Sequence, residues 1–286
     1  MIKKVAILLE MIKFKLTIFA MPFAFMGAFL AAGGVPAWSD FFWIIVAMVG
    51  ARTSAMGFNR IVDRKFDHAN PRTADRAIPA GEVKLVEAWV MVIAAALLFF
   101  LACYNLNTLT LALAPLALSL TWFYSLTKRF TSLCHIVLGV ALSFSPLGGW
   151  VAVVGTLHGY PYALSFGVLF WVAGFDTIYA CLDADFDMKA KLYSLPARLG
   201  RSNAFRLAGL FHCAALVLFV ITGIQAQLNI LYYLGVALAA AALVYQHIIV
   251  RPTDLSRIQA SFFSMNGIVS MAIFLATWLS LAYGHI

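Results

Sequence analysis

The sequence FFWIIVAMVGARTSAMGFNRIVDRKFD at residues 41–67 joins an apolar segment, long enough to cross a bilayer, to a strongly polar end. Asn59, Asp63 and Asp67 follow one another at intervals of four residues, so a helix places them along one face. Arg52 lies seven residues before Asn59 and nearly on the same face. Because charged side chains are costly to bury at membrane depth, this stripe indicates a functional site.

A second polar run, Asp176-Thr-Ile-Tyr-Ala-Cys-Leu-Asp183-Ala-Asp-Phe-Asp187, ends another apolar segment. Asp183 and Asp187 are again four residues apart, and Asp176 stands seven residues before Asp183. We therefore expect all three carboxylates on one helix, in a pattern that repeats the first run. This repetition predicts that the two helices face each other across a shared site.

The composition excludes a water-soluble protein, because 63% of the residues are hydrophobic, only 11% are charged, and the mean hydropathy is +0.92. The chain is predicted to be an all-α polytopic membrane protein. Its length allows about nine transmembrane helices of roughly 20 residues, so residues 1–286 are expected to form a single domain. The predicted spans are 15–33, 41–61, 84–104, 108–126, 132–154, 161–182, 204–224, 228–249 and 261–283.

The basic residues outside the spans alternate sharply between the two sides of the membrane. The predicted outer loops at 34–40, 105–107, 155–160 and 225–227 contain neither Lys nor Arg. By the positive-inside rule, the N-terminus and both polar runs face the cytoplasm. The net charge of +8 is explained by this orientation and by the anionic lipid bilayer, so a nucleic acid partner is not expected.

The two runs have the ligand chemistry of a divalent cation site. Carboxylates held close together repel one another, and a divalent cation relieves that repulsion. Ligands that are all oxygen favour Mg²⁺, which binds through a few carboxylates together with water and substrate phosphates. The sequence therefore predicts a magnesium-bridged diphosphate, with these metal ligands: Asn59, Asp63, Asp67, Asp176, Asp183 and Asp187.

Basic residues follow each polar run and lie beside the predicted diphosphate. Arg and Lys can hold phosphate oxygens through charge-assisted hydrogen bonds. The candidates for this role are Lys65, Arg72, Arg76, Lys128, Arg129 and Lys189. Each of them is equally explained as a positive-inside charge, and the sequence leaves both interpretations open.

Taken together, these residues resemble the UbiA superfamily of intramembrane aromatic prenyltransferases. The first run matches the superfamily motif N-x-x-x-D-x-x-x-D, and Asp183-x-x-x-Asp187 with the preceding Asp176 matches the second motif. Asn70-Pro-Arg-Thr73 and Tyr124-Ser-Leu-Thr-Lys-Arg129 are further points of similarity. The resemblance implies a helical bundle around a central cavity that opens to the cytoplasm and to lipid.

The resemblance also implies an activity. The chain would transfer a polyprenyl group from polyprenyl diphosphate to an aromatic acid, with Mg²⁺ as cofactor and Asp63, Asp67, Asp183 and Asp187 as catalytic residues. The acceptor would be 4-hydroxybenzoate, as in ubiquinone synthesis, or 1,4-dihydroxy-6-naphthoate, as in menaquinone synthesis. The stretches at 50–59 and 194–200 are similar to a bacterial branch that includes the second type, which implies a bacterial inner membrane.

Arg52 is the candidate for binding this acceptor, since an arginine inside a span needs an anionic partner and the acceptor carries a carboxylate. The alternative is a structural ion pair with a nearby acid such as Asp176. His135, His212 and His247 have no spaced partners and are interpreted as packed histidines. Two further functions remain open: transfer to a tetrapyrrole such as haem, and, in another class, membrane transport coupled to the intramembrane carboxylates.

Overall fold

The computed structural model describes residues 2–13 and 17–284. The described chain is built from helices joined by short connections. In chain order they are α1 (Ile2–Met11), α2 (Thr17–Ala32), α3 (Trp38–Ala69), α4 (Leu85–Leu106), α5 (Thr108–Thr127), α6 (Cys134–Val154), α7 (Tyr162–Ala180), α8 (Ala184–Lys189), α9 (Leu195–Leu199), α10 (Arg201–Gln225), α11 (Ile230–Ile249) and α12 (Ile258–Ala282).

Eight of the described helices are long and apolar enough to cross a membrane: α3, α4, α5, α6, α7, α10, α11 and α12. The all-α multi-span prediction is confirmed, and the expected count of about nine exceeds this number by one. The difference concerns the predicted span 15–33. Helix α2 covers Thr17–Ala32 of it, the part with described side chains is the shorter apolar helix Met21–Ala32, and residues 14–16 lie outside the described chain.

Helix α3 is longer than the predicted span 41–61, because it continues through the first polar run to Ala69. No proline lies between Pro36 and Pro71, and the residue before a proline is disfavoured in helical conformation. Asn70 accordingly has an extended backbone, with φ of −92° and ψ of 117°. The whole first run thus remains on one helix, as its spacing predicts.

The prediction that all three carboxylates of the second polar run lie on one helix is wrong. Helix α7 ends at Ala180, and the backbone N–H groups of residues 181–183 each donate to the carbonyl three residues earlier. Such tight turns are typical of helix ends. A new helix, α8, then begins at Ala184, so Asp176 lies on α7 while Asp183 and Asp187 lie at α8.

The bundle has two packed parts. Helices α2, α7, α10, α11 and α12 share one apolar core, which includes Phe23, Trp171, Phe219, Tyr232 and Ile273. Helices α3, α4 and α5 pack around smaller clusters, and α6 contacts α2, α5 and α7, so that it joins the two parts. The ends of α3, α5 and α7 and the start of α6 bring both polar runs to the same end of the bundle.

Helices α2 and α6 approach each other so closely that only glycine fits at two positions. A Cβ atom on Gly27 would lie 1.9 Å from the carbonyl oxygen of Pro146, and one on Gly149 would lie 1.9 Å from that of Ala24. Helix association in lipid depends on such close packing of small residues, because lipid tails are as apolar as the side chains that they replace.

Gly149→Ala is therefore expected to destabilise the protein by about 1–3 kcal/mol, since the added methyl group must push α2 away from α6. The neighbouring Gly148 provides a matched control, because a Cβ atom there meets nothing within 4 Å. We expect Gly148→Ala to stay within about 1 kcal/mol of the wild type. Thermal unfolding in detergent measures both variants, and equal unfolding midpoints would contradict the close contact.

Candidate active site

The first polar run is held by an arginine from another part of the bundle. Asp63 accepts a hydrogen bond from the Asn59 amide nitrogen at 2.9 Å and one from Arg129 Nη2 at 2.8 Å. Arg129 follows α5 and also donates to the carbonyl oxygens of Ser125 and Val62, each at 2.9 Å. These bonds fix the guanidinium against the end of α3 and neutralise the Asp63 carboxylate.

Asp67 is buried and only partly satisfied. Arg76 Nη1 donates to its Oδ1 at 2.7 Å, and Arg60 Nη1 lies 3.9 Å from Oδ2. Oδ2 is buried and has no hydrogen-bond partner within the described chain. A buried carboxylate oxygen without a donor is unusual and costly, so it is a natural ligand atom for a cation.

The second polar run is held by the loop at residues 70–84, between α3 and α4. Arg72 makes a two-pronged contact with Asp183, from Nε to Oδ1 at 2.8 Å and from Nη2 to Oδ2 at 2.5 Å. The Asn70 amide donates to the same Oδ1 at 2.9 Å. Burial raises the pKa of Asp183, but the Arg72 and Asn70 contacts outweigh it and hold the pKa below its ordinary value.

Asp187 is almost completely buried and pairs with Lys128. The distances from Lys128 Nζ to the two carboxylate oxygens are 2.9 and 3.2 Å. Burial lowers the pKa of Lys128, but the Asp187 carboxylate outweighs that effect and raises it above its ordinary value. Lys128 and Arg129 are neighbours in the chain, yet each of them pairs with a different polar run.

The four ion pairs cross-link the two runs. The 70–84 loop sends Arg76 to the first run and Arg72 to the second, while the turn after α5 sends Arg129 to the first and Lys128 to the second. The structure thus brings the two runs together at one end of the bundle. We refer to these four cations and their four carboxylates as the crossed cluster.

The other two predicted diphosphate contacts, Lys65 and Lys189, are exposed and make no hydrogen bond or ion pair in the described part of the chain. Together with Arg129 they line an open pocket of about 840 Å³ whose apolar walls include Phe66 and Phe186. These two lysines are therefore available to an anionic ligand, whereas the four cations of the crossed cluster are occupied by carboxylates.

The N-terminal helix α1 covers part of this end of the bundle. The Met11 carbonyl accepts a hydrogen bond from Arg60 Nε at 3.2 Å. Lys4 donates to the Glu82 carbonyl oxygen at 2.8 Å and forms an ion pair with Glu87 at 2.6 Å. Helix α1 is thus fastened to both α3 and the 70–84 loop.

Asp176 and Arg52 do not form an ion pair with each other, so the structural alternative for Arg52 is not found between these two residues. Asp176 Oδ2 lies 2.6 Å from His135 Nδ1. Arg52 has a buried Nε without a hydrogen-bond partner and makes no ion pair with any described residue. His135, which the sequence suggests is merely packed, is therefore part of the site. The sequence indicated a place in the site for His135 only through its position, at the start of the predicted span 132–154 and six residues after Arg129.

The carboxylates have the ligand chemistry of a Mg²⁺ site, but in this structure they are paired with basic side chains. Within residues 2–13 and 17–284, no three His, Cys, Asp or Glu side chains gather as a metal site. The donors are all carboxylate and amide oxygens, which suit a hard cation, and Asp67 Oδ2 is a free ligand atom. A metal carried by a polyanionic ligand fits this arrangement, because the ligand would engage the cations as the metal engages the carboxylates.

Acid is expected to destabilise the protein partly through Asp183. Because its pKa is lower in the folded than in the unfolded state, the Arg72 pair stabilises the fold above the ordinary carboxyl pKa of about 4. That contribution is lost as the pH falls through the folded-state pKa. We expect Asp183→Asn to flatten the decline of the unfolding midpoint below about pH 5.

Asp185→Asn is the control for this measurement, because Asp185 is exposed and pairs only with Arg201 at the surface. This variant should keep the wild-type pH dependence. An Asp183→Asn variant with the same pH dependence as the wild type would show that the Arg72 pair contributes no pH-linked stability.

Comparison with known proteins places these features in a family. Residues 20–279 match the model of the UbiA prenyltransferase family. A 4-hydroxybenzoate octaprenyltransferase from Tolumonas auensis is 33% identical over 251 residues, which cover 88% of this chain and 87% of that relative. A relative of the same name from Vibrio cholerae is 33% identical over 255 residues, covering 87% of this chain and 88% of its own.

Solved structures share the fold. The apo structure of a UbiA homologue from Aeropyrum pernix superimposes with a TM-score of 0.85 at 35% identity, covering 92% of this chain and 96% of that one. A UbiA homologue from Archaeoglobus fulgidus, bound to GPP and Mg²⁺, superimposes with a TM-score of 0.74. At 18% identity, with 96% of this chain and 99% of the other covered, the second match supports the fold alone.

Proposed function

The chain belongs to the UbiA prenyltransferase family, and on that premise we propose that it transfers a polyprenyl group from polyprenyl diphosphate to an aromatic acid. It is a multi-span membrane enzyme, and membership of a family of prenyltransferases sets aside the transport alternative. We further propose that residues 1–286 act as one domain, with the crossed cluster on the cytoplasmic side of a bacterial inner membrane.

The observation that carries this proposal is the crossed cluster. Four cations and four carboxylates at one end of the bundle match a ligand that combines a polyanion with a divalent cation. The diphosphate would take the place of the carboxylates on Arg72, Arg76, Lys128 and Arg129. Lys65 and Lys189, which are free at the adjacent pocket, would receive it first.

Mg²⁺ would be held by Asn59, Asp63, Asp67, Asp183 and Asp187, and when bound it supplies charge neutralisation for the departing diphosphate. The A. fulgidus homologue of the same fold was solved with GPP and Mg²⁺ bound, so a prenyl diphosphate and Mg²⁺ are ligands that this fold can accommodate. The cations of the crossed cluster would stabilise the negative charge that develops as the allylic carbon–oxygen bond breaks. The apolar bundle would exclude water from the resulting carbocation, so that the aromatic ring attacks it instead.

The acceptor that we propose first is 4-hydroxybenzoate, since the relatives from T. auensis and V. cholerae carry that substrate in their names. 1,4-Dihydroxy-6-naphthoate remains the second candidate. Both are phenolic acids, and both would place a carboxylate on the unpaired Arg52, whose position inside α3 needs an anionic partner.

The activity is tested by product formation in membranes that express the chain, with a polyprenyl diphosphate, Mg²⁺ and either acid, read by mass spectrometry. We expect prenylated acid from the wild type and a loss of about 100-fold or more in Asp63→Asn and Asp183→Asn, because each variant loses a charged ligand. Asp185→Asn, whose side chain lies outside the crossed cluster, should retain activity. Near-normal turnover in both motif variants would refute the two-motif site.

Arg52→Ala should raise the KM of the acid about 10- to 100-fold and leave the KM of the prenyl diphosphate unchanged, since a hydrogen bond to a charged group contributes about 1.5–3 kcal/mol. 4-Hydroxybenzamide, which lacks the carboxylate charge, serves as the matched acceptor. The wild type should prefer the acid, and Arg52→Ala should lose that preference. An unchanged preference would show that Arg52 binds something else.

A further inference from the structure

We propose that His135 is a positioning residue, which holds Asp176 so that its free carboxylate oxygen receives the phenolic hydroxyl of the acceptor. The inference rests on the proposed function and deepens it, because it assigns a second recognition point in the acceptor site. It also places Asp176 with the acceptor, although its spacing in the sequence had grouped it with the metal ligands.

The contact between His135 and Asp176 is short and shielded. His135 is 1% exposed, and its Nδ1 lies 2.6 Å from Asp176 Oδ2. The two residues come from different helices, α6 and α7, at the end of the bundle that carries the crossed cluster. A hydrogen bond in such a shielded place is stronger than one in water and holds both side chains in fixed orientations.

The second ring nitrogen decides which way this hydrogen bond runs. His135 Nε2 accepts the backbone N–H of Leu195, the first residue of α9, at 3.4 Å. The ring proton is therefore on Nδ1, which donates to Asp176. His135 thus satisfies an otherwise unpaired amide at the start of a helix and orients a carboxylate at the same time.

Asp176 keeps one oxygen for a ligand. Its side chain is 19% exposed, and no described residue donates to Oδ1. Asp176 lies about one turn before the end of α7, and Asp183 of the crossed cluster follows at the start of α8, so Asp176 stands near the crossed cluster. An oxygen with these properties can accept a hydrogen bond, and a phenolic hydroxyl is the donor that the proposed acceptors share.

Two recognition points would suit a hydroxy acid better than one. Arg52 would take the carboxylate at one end of the ring and Asp176 the hydroxyl at the other. Fixing both ends turns the ring carbon next to the hydroxyl toward the prenyl group, and such orientation accounts for a large part of catalysis in two-substrate reactions. His135 would touch neither substrate and would act only through Asp176.

Three variants separate this role from simple support of α9. His135→Leu removes both ring contacts. His135→Asn keeps a donor at the position of Nδ1 and loses the acceptor for Leu195, whereas His135→Gln places its amide farther out, toward Leu195. We expect His135→Leu and His135→Gln to lower kcat/KM for the acid about 10-fold or more, with the KM of the prenyl diphosphate unchanged. His135→Asn should stay within about threefold of the wild type.

The specific readout is the preference for a hydroxyl group, measured by inhibition of the wild type and the variants with 4-hydroxybenzoate analogues that have or lack it. 4-Methoxybenzoate should compete less well than 4-hydroxybenzoate in the wild type and in His135→Asn. In His135→Leu the two should compete about equally. If His135→Leu does not fold, Asp176→Ala should show the same equality.

Three results would overturn the inference. One is a His135→Asn variant as impaired as His135→Leu, which would assign the residue to α9 alone. Another is a hydroxyl preference that survives in both His135→Leu and Asp176→Ala. The third is a wild type that prenylates neither acid, which would refute the proposed function itself and thereby differ from the other two results.

Discussion

The structure depends on one electrostatic constraint: several carboxylates sit at the edge of a bilayer, and each must be neutralised where it stands. The chain meets this constraint with cations that come in pairs from two connections, and each connection serves both polar runs. The ion pairs therefore do more than compensate charge. They tie the end of α3 and helix α8 to the loop before α4 and to the turn before α6.

Different interactions stabilise the two ends of the bundle. Away from the crossed cluster, cohesion comes from aromatic side chains and from close glycine contacts, such as those that join α2 to α6. At the polar end, it comes from ion pairs with an excess of cations, since Lys65 and Lys189 remain free. A polyanion would be drawn to that end while an attached apolar chain entered the apolar interior, which suits the proposed polyprenyl diphosphate.

Most of the structural predictions from the sequence rested on the local spacing of residues along the chain. The four-residue spacing of Asn59, Asp63 and Asp67 placed them correctly on one helix, because nothing in that stretch breaks a helix. The same reasoning failed between Asp176 and Asp183, where the backbone turns without Gly or Pro to announce it. The partner of Asp176 was beyond prediction by spacing, because His135 lies 41 residues away and only the packing of α6 on α7 brings the two together.

The 70–84 loop connects the two polar runs to each other. It holds one carboxylate of each polar run, through Arg76 and Arg72, so a shift of the loop backbone would change its contacts with both runs. Its far end is also fastened to α1 through Lys4. A polyanion that competed for these two arginines would therefore act on both polar runs through one segment of the chain. If the proposed diphosphate binds there, it would have to leave before both arginine–carboxylate pairs could form again.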